Sequence, residues 1–583
     1  MARRKRNNAR NQKGSSGKGE NRPNNGNEVP VNGSKTSPNT PNKIKSDDQT
    51  DGIDKDSNDG KNDVAWYARD PRLVLDAARI PWNKPFGSMI DVDTYNTNIT
   101  SKLSIDSGAT KMSVPGICTV HLKPSFGSNT VQTDPLNVCA NALYTHVRVA
   151  ASGRKNYDPS DLMMYVASFA DIYSFLVWCE RMYYAAYMYS QRNYYYGKRM
   201  LEAEGVNPQQ IVTNLANFRY WINSIINRIS SYALPGDITV FQRRVFLYSN
   251  WYIENASGNM KDQLYQFTPD GFYRFDFNSN NGAGKLAYTP INRSNLYNNT
   301  IAYLSNYFDT LMQNVTGDED FGLMSGDIIK AYGTNLIRLN QINEEGELLP
   351  VYDPYVLSQF KNAAIADVIR GNSGAVIAGI FTAGDVEQDI SDGLIKSFEV
   401  LDPTVSSNRD AIFAIHTPLI CSTEMADPDV GDVLELTRLK ISDGGWYSEN
   451  GVPKYQMLKT GTEIAVKCTI TYQMESLVSS YSKRWVDQSF ASNFVFIDSD
   501  DPTVPPKINS WVVSFIQAFK YAPIMFLVHE AYESVQGTYT LNTWVPAANL
   551  DNNTSIGSSE MNRIHEVALL SLFYVPGIAK LVS

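Results

Sequence analysis

Residues 157–187 read YDPSDLMMYVASFADIYSFLVWCERMYYAAY, a long apolar stretch that opens on a helix-start signal. Asp158 can cap a helix whose first position is Pro159, and apolar residues then recur through Cys179 and beyond. This pattern predicts a helix, or a broken pair of helices, that ends near Glu204. Because its side chains are mostly apolar, such a helix has to be covered by other helices or strands.

Further helices are predicted on either side of this stretch. NPQQIVTNLANFRYWINSIINRISSYA, at residues 207–233, has Asn207 as a cap and Pro208 at the first helical position, which predicts a second long helix. Helical spacing also occurs where the apolar sequence begins, at residues 64–87. The last hundred residues are expected to be helical as well, on the evidence of INSWVVSFIQAF (508–519) and SEMNRIHEVALLSLFY (559–574).

Short apolar runs separated by Gly, Asp and Pro clusters predict strands elsewhere. Two of these runs lie before the long helices, and four lie in the middle of the chain: GICTVHL (116–122), YTHVRVA (144–150), AVIAGIFTAG (375–384), AIFAIHTPLICS (411–422), VLELTRLKI (433–441) and TEIAVKCTITYQ (462–473). The sequence therefore predicts an α+β fold, with a predominantly helical domain and a mixed or β-rich projecting domain. The expected division is a disordered arm at 1–63, helix-rich segments at 64–245 and 481–583 that form one domain, and the projecting domain at 246–480.

Composition excludes several classes of protein. The chain has 583 residues, of which 43% are apolar, so it can bury large cores and is not disordered as a whole. Its 34 Tyr, 24 Phe and 9 Trp favour large buried or intersubunit surfaces. The five cysteines are odd in number and widely spaced, which is typical of synthesis in a reducing cytosol. No signal peptide is predicted, and Asp171 interrupts the longest apolar run, so no transmembrane segment is expected.

Charge is divided unevenly along the chain. Residues 1–45 hold eleven Lys and Arg against Glu20 and Glu28, a net charge of +9, whereas residues 46–63 carry −5. Because the whole chain carries −9, the remainder carries −13. Residues 1–63 contain only seven apolar side chains, too few to offset the entropy lost on ordering, so this arm is predicted to be disordered when free.

The start of the arm carries the clearest functional signal. Eight cations lie within 22 residues, spaced by Gly and Asn: Arg3, Arg4, Lys5, Arg6, Arg10, Lys13, Lys18 and Arg22. Such a segment binds RNA or DNA through phosphate charge without reading sequence. A nuclear-localisation string or a solubility tail would have a similar composition.

Candidate catalytic and metal motifs are weak. GNSGA, with Ser373, is similar to the nucleophile loop of chymotrypsin-like proteases, but His121 and His146 precede it across two long helices. GAGKL (282–286) lacks the required first glycine and the Mg²⁺-binding Ser or Thr of a phosphate loop, which favours a plain turn. A zinc site made of Cys118, His121, Cys139 and His146 is disfavoured, because residues 118 and 121 would point to opposite faces of a strand. His416, His529 and His565 receive no role, and no catalytic residue, metal or cofactor is predicted.

The tyrosine-rich stretch WCERMYYAAYMYSQRNYYYGKRM (178–200) has two interpretations. Its rings, interleaved with Arg181, Arg192, Lys198 and Arg199, could stack on bases and contact phosphates. Packing of a wide helix face explains the same spacing and is favoured.

Several segments resemble capsid proteins of picobirnaviruses. They are NDVAWYARDPRLVLDAARIPWNKPFG (62–87), the tyrosine-rich helix, LPGDITVFQRR (234–244) and QLYQFTPDGFYRFD (263–276). The resemblance covers most of residues 60–275, and length and the basic start agree with it. It implies a virion protein, made in the host cytoplasm, whose predominantly helical domain is a shell domain that carries the projecting domain. The same resemblance implies symmetric homodimers that assemble into an icosahedral particle around double-stranded genomic RNA. It also implies that an N-terminal peptide can be removed, for which residues 47–63 are the most accessible place.

Two other classes of function stay open at this point. A non-assembling nucleoprotein would wrap RNA in a basic groove, which the acidic body argues against. A serine hydrolase would use Ser373, but the sequence does not supply the remaining triad. No small-molecule substrate is predicted.

Overall fold

The computed structural model describes residues 70–79, 88–91, 109–113, 116–152, 156–188, 196–255, 263–293, 298–366, 381–401, 419–449, 452–476, 483–490, 494–497, 519–523, 525–533, 539–546 and 552–575. The chain divides into two compact units, Met1–Trp82 and Asn83–Ser583. Within the described part of the first unit, residues 70–79 form helix α1 (Pro71–Ala77), which Asp70 caps by accepting from the Arg72 amide at 2.8 Å.

The second unit mixes helices and strands, as expected for an α+β fold. Its described helices are α2 (Pro135–Ala150), α3 (Pro159–Tyr187), α4 (Tyr196–Ala203), α5 (Pro208–Thr213), α6 (Leu215–Ile229), α7 (Val240–Leu247), α8 (Ile301–Gly317), α9 (Glu319–Tyr332), α10 (Pro354–Lys361), α11 (Val430–Leu436) and α12 (Ser558–Leu572).

The described strands run from the first third of the chain to near its end. They are β1 (Met89–Asp91), β2 (Ala109–Ser113), β3 (Ile117–Pro124), β4 (Tyr252–Ile253), β5 (Leu264–Pro269), β6 (Gly271–Phe277), β7 (Gly284–Pro290), β8 (Phe381–Thr382), β9 (Val386–Asp389), β10 (Leu394–Lys396), β11 (Glu399–Leu401), β12 (Leu419–Thr423), β13 (Ile441–Glu449), β14 (Val452–Thr460), β15 (Glu463–Ser476), β16 (Lys483–Phe490), β17 (Phe494–Ile497), β18 (Met525–Glu533), β19 (Tyr539–Pro546) and β20 (Asn552–Ile556).

The largest described sheet joins distant parts of the chain in the order β1-β2-β15-β3-β5-β4, with β16 paired to β15. Its β3 and β5 are parallel, and β15 is antiparallel to β3, with Cys468 opposite Val120. The other sheets have the orders β10-β9-β7-β6, β13-β14-β11-β8, β17-β18-β19 and β12-β20. Because β15 inserts between β2 and β3, residues more than 300 positions apart form one sheet.

Helix α3 is the centre of the main core. It packs against α2, α4, α6 and α7 and against β6 and β7, and every residue from 162 to 179 is buried. By length and composition α3 could cross a membrane, but its apolar window is wholly buried within the protein. A helix that is apolar on every side is typical of such a core. Its start follows the prediction, with Pro159 in the first turn and the Asp161 carboxylate accepting from the Asp158 amide at 2.8 Å.

Several sequence predictions are confirmed, and four are wrong. GICTVHL forms β3, TEIAVKCTITYQ forms most of β15, and residues 558–572 form α12. The run YTHVRVA was predicted as a strand but is the end of α2, because buried side chains recur there at helical spacing, among them Leu136, Ala140, Leu143 and Val147. Burial of one face outweighs the strand preference of its β-branched residues.

The second long helix is two helices, since α5 ends at Thr213 and α6 begins at Leu215. The Asn214 side chain between them donates to the Gln210 carbonyl at 3.0 Å, in place of a continuous backbone ladder. VLELTRLKI does not form a single strand, because a capping box of Asp429 and Asp432 starts α11 just before it.

The expectation of helix throughout the last hundred residues is wrong for the described part, where β16 to β20 precede α12. The β-branched and aromatic residues of MFLVHEAYE and YTLNTWVP fit paired strands. Most of INSWVVSFIQAF, AVIAGIFTAG and AIFAIHTPLICS lies outside the described residues. The domain division at residues 246 and 480 stays a prediction, and one hydrophobic cluster contains residues from both sides of residue 246.

Candidate functional site

The first polar cluster of the core surrounds Asp171, at the middle of α3. Its carboxylate accepts from the Tyr273 amide of β6 at 2.7 Å and lies 3.9 Å from Arg244 Nε of α7. Burial raises the pKa of Asp171 to about 6, although Arg244 and the Tyr273 amide oppose the increase. The cluster links the central helix to a sheet and to a second helix.

Lys123 of β3 belongs to the same cluster. Its ammonium pairs with the buried carboxylate of Glu399, donates to the Tyr273 hydroxyl at 2.6 Å, and lies 4.7 Å from the ring centre of Tyr273 and 4.8 Å from that of Tyr288. Burial lowers the pKa of Lys123, and Glu399 partly counteracts this effect. The charge is therefore held by an acid, a hydroxyl and two aromatic faces.

A second cluster joins the end of α3 to the loop after α4. Arg181 and Glu204 form an ion pair at 2.7 Å, and both side chains are 0% exposed. Glu204 also accepts from Trp178 Nε1 at 2.8 Å and from the Thr268 hydroxyl at 2.6 Å, while Arg181 donates to the Phe267 carbonyl at 2.6 Å. Since each charge has several partners inside the core, this arrangement fixes helix against sheet.

The histidines with described surroundings have no catalytic arrangement. His121 is buried and its Nε2 lies 3.0 Å from the Thr469 hydroxyl, while the His146 ring packs on Tyr332 with centres 4.9 Å apart. His565 is buried, and neither ring nitrogen has a hydrogen-bond partner. Ser373 and His416 lie outside the described residues, and His529 is in β18, of whose side chains nothing is described.

The structure separates the four residues considered for zinc. Cys118 Sγ lies 3.7 Å from Cys468 Sγ, and Cys139 of α2 faces the Leu570 carbonyl at 3.9 Å. His121 is three positions along β3 from Cys118, so the two point to opposite faces of that strand. Within the described residues no group of three or more His, Cys, Asp or Glu is arranged to hold a metal ion.

GAGKL was predicted as a plain turn, but only Gly282 and Ala283 lie in a turn, and Gly284 to Leu286 begin β7. This turn closes the hairpin between β6 and β7, where Phe277 pairs with Gly284 and Gly282 has a φ of 75°.

The eight arm residues predicted to bind nucleic acid all lie outside the described residues: Arg3, Arg4, Lys5, Arg6, Arg10, Lys13, Lys18 and Arg22. Their role stays a prediction.

Comparison with known proteins decides the family. Residues 66–550 match the family described as "Picobirnavirus, Capsid protein". The chain belongs to the picobirnavirus capsid protein family. It is 26% identical over 531 residues to the "Capsid protein precursor" of Human picobirnavirus (strain Human/Thailand/Hy005102/-), an alignment that covers 88% of this chain and 91% of the relative.

A solved structure confirms the fold of this picobirnavirus capsid protein. The structure described as "X-ray crystallographic structure of the picobirnavirus capsid" superposes with a TM-score of 0.70 at 22% sequence identity. The match covers 89% of this chain and 100% of that one. The chain is thus a structural protein of the virion and has the capsid fold, as the sequence predicted.

In this capsid protein the described part of the tyrosine-rich stretch serves packing. Arg181 is buried in the second cluster, and Arg199 is buried beside Glu202, with which it pairs. Tyr183 is buried, and Tyr184 packs edge to face against it with ring centres 5.4 Å apart. Neither arginine can reach phosphate from its position, which favours the packing interpretation over base stacking.

Sequence reasoning missed one surface feature, a cavity bordered by α7, α10, α11 and α12. Its wall includes Tyr355 and Val567, which are 43% and 44% exposed. Five segments, spread over more than 300 positions from Arg243 to Leu572, supply the lining, so no local pattern could have indicated it.

Proposed function

We propose that this capsid protein assembles through its body, as symmetric homodimers, into an icosahedral shell that encloses double-stranded RNA. Membership of the capsid family supports self-assembly into a shell. The resemblance of most of residues 60–275 to picobirnavirus capsid proteins supports the symmetric homodimer and the double-stranded RNA cargo. The protein is expected to be made in the host cytoplasm and to function in the virion.

The arm is the part of the chain that we propose holds RNA, through Arg3, Arg4, Lys5, Arg6, Arg10, Lys13, Lys18 and Arg22. The observation that carries this proposal is the charge division, +9 on residues 1–45 against −13 on residues 64–583. Large cations of the body, such as Arg181 and Arg244, are buried beside carboxylates and cannot meet phosphate. A polyanion is therefore attracted to the arm and repelled by the net charge of the body.

Removal of an N-terminal peptide is a further proposal. Residues 47–63 hold seven Asp and two Lys with almost no apolar residues, a composition that leaves backbone accessible to cleavage. Intact mass measurement of the chain recovered from particles would locate the cut. A full-length chain in mature particles would contradict this proposal.

Deleting residues 1–45 tests whether the body alone drives assembly and the arm binds the RNA. The truncated chain should still form shells of unchanged diameter in electron microscopy, because the arm has almost no apolar surface to bury. These shells should contain little RNA. Dimers or monomers alone, under conditions where the full chain forms particles, would show that the arm drives assembly.

A further inference from the structure

Strand β20 (Asn552–Ile556) lies at the outer edge of a small sheet. Among the residues that the structure describes, its one strand partner is β12 (Leu419–Thr423), and the two strands are antiparallel with an unbroken register. Residues 552–555 are all exposed to solvent. The sheet therefore has one edge at β12 and a second, exposed edge at β20.

The edge at β12 is already closed by a side chain. The Asn362 amide nitrogen donates to the Ser422 carbonyl, and the Asn362 side-chain oxygen accepts from the Ser422 N–H, each at 2.8 Å. Both backbone polar groups of Ser422 therefore point away from β20. Because these groups alternate in direction along a strand, those of Cys421 and Thr423 point towards β20.

This alternation determines which backbone groups of β20 are available. Thr554 lies opposite Cys421, so its N–H and carbonyl face β12. Asn553 lies opposite Ser422, so its N–H and carbonyl point outward, and those of Ser555 do the same. None of these four outward groups has a partner among the described residues.

Outer strands elsewhere in the described sheets carry features that prevent the addition of another strand. β16 holds Lys483, Arg484 and Asp487, β13 has an irregular register with β14, and β10 has three residues. Charge, irregular register and short length all protect an exposed edge. In contrast, β20 has five residues, no charge, no proline and a regular register. Such an edge is typical of a strand that pairs with another chain.

Two copies of β20 fit each other about a two-fold axis at Thr554. Antiparallel pairing about this axis places Asn553 of each copy opposite Ser555 of the other, so their outward groups can form four backbone hydrogen bonds. Thr554 then lies opposite Thr554 of the second copy, and Thr–Thr pairs across strands are stabilising. Because the strand is uncharged, it adds no repulsion where two bodies that each carry −13 meet.

We propose that β20 pairs with β20 of a second copy of the chain, so that two small sheets join into one sheet of four strands across a two-fold axis. Membership of the capsid family supports a second copy as the occupant, because capsid proteins assemble with copies of themselves. This inference rests on the proposed assembly through symmetric homodimers and assigns one contact within it.

A cysteine at the two-fold axis tests this pairing. The five native cysteines are all buried, so Thr554→Cys adds an exposed thiol. Residues opposite each other in a pair without mutual hydrogen bonds have Cα atoms about 4.5 Å apart, a distance that a disulfide can span. Copper phenanthroline should therefore link most chains of this variant in purified shells into a dimer of twice 65.2 kDa on a non-reducing gel.

Asn552→Cys is the matched control. Asn552 is exposed on the same strand, but the proposed register offsets it by four residues, about 14 Å, from Asn552 of the second copy. That distance is too long for a disulfide. Cross-linking at 554 but not at 552 supports the pairing, whereas cross-linking at neither position, or equally at both, overturns it.

The outcomes separate this contact from the proposed function. Normal shells in which Cys at position 554 stays unlinked overturn the strand pairing alone. If the unmodified chain forms neither dimers nor shells, the proposed function fails and the pairing with it.

Asn553→Pro gives a second readout that does not depend on a thiol. Proline removes an outward N–H and leaves the backbone groups that face β12 in place. The threshold concentration for assembly should rise about tenfold, because each pair of copies loses two of its four hydrogen bonds, while the circular dichroism of free subunits stays unchanged. Assembly at the wild-type threshold would overturn the proposal. If this variant does not fold, the cross-linking measurement decides.

Discussion

Arginines in the body and arginines in the arm differ in the acids around them. Arg181 is fully buried, with Glu204 at 2.7 Å and a backbone carbonyl as a second partner. The segment from Arg3 to Arg22 holds eight cations, and Glu20 is its one acid. The same residue type therefore stabilises the fold in one region and, in the proposed function, binds a polyanion in the other.

On the proposed function, the net charge of the whole chain is a poor guide to RNA binding. A net charge of −9 by itself argues against binding to a polyanion. Charges that are paired inside a core contribute little to the electrostatic potential at the protein surface. A segment with a high net positive charge attracts phosphate locally, whatever the net charge of the whole chain. Four measurements test the comparison. The first two measure stability and the last two measure the RNA content of particles, and the expected effect decreases from the first to the third.

Arg181→Met removes a fully buried cation of the body and should have the largest effect. It leaves the Glu204 carboxylate buried with only Trp178 and Thr268 as donors. Losing one member of a buried ion pair typically costs about 3–5 kcal/mol. Urea unfolding of free subunits, followed by tryptophan fluorescence, should show this loss.

The matched control is Arg181→Met combined with Glu204→Gln, which removes both charges and keeps an acceptor for Trp178. It should recover at least half of the lost stability, because no uncompensated charge remains. If the free energy of unfolding of Arg181→Met lay within about 1 kcal/mol of the wild-type value, the comparison would be wrong, because this buried arginine would then not stabilise the fold.

Glu180→Gln should have a smaller effect that depends on pH. Burial raises the pKa of Glu180 to about 7 from an ordinary value of 4.5. Because the folded carboxyl has the higher pKa, the wild type loses stability as pH rises from 4.5 to 7. The neutral amide avoids this loss, so the variant should be more stable by about 1–3 kcal/mol at pH 8 and equal at pH 4. A difference that does not vary with pH would contradict this assignment.

Replacing exposed cations of the body should have the smallest effect. Lys198 and Arg148 are both exposed, and we expect Lys198→Gln with Arg148→Gln to leave the RNA content of particles unchanged. The measurement is the ultraviolet absorbance ratio of purified shells. A clear loss of RNA would mean that the body also holds the genome.

The sequence predicted elements that have strong local signals. Asp158 and Pro159 marked the start of α3, and TEIAVKCTITYQ was correctly assigned as a strand. YTHVRVA was misassigned because its β-branched residues favour a strand in isolation, and only packing against α3 and α9 makes it helical. Where the two conflict, burial in the tertiary structure outweighs the local secondary-structure propensity of the residues.

Contacts between distant segments could not be predicted. Lys123 and Glu399 are 276 positions apart, and Cys118 and Cys468 are 350 apart. Neither pairing leaves a periodic or spacing signal, because each depends on how β3 is placed in its sheet. The cavity bordered by α7, α10, α11 and α12 was missed for the same reason, whereas the arm residues could be proposed as a binding segment because their charges lie close together in sequence.

The central claim is that the arm, and not the body, holds the RNA. Replacing Arg3, Arg4, Lys5, Arg6 and Arg10 by Gln tests it most directly, with the same five positions as Lys for a charge-conserving control. RNA per particle should fall for the Gln variant and not for the Lys variant, while shell diameter stays the same. The salt dependence of RNA binding by the arm peptide should weaken by about four logarithmic units of slope in the Gln variant. Unchanged RNA per particle after removal of these five charges would contradict the account.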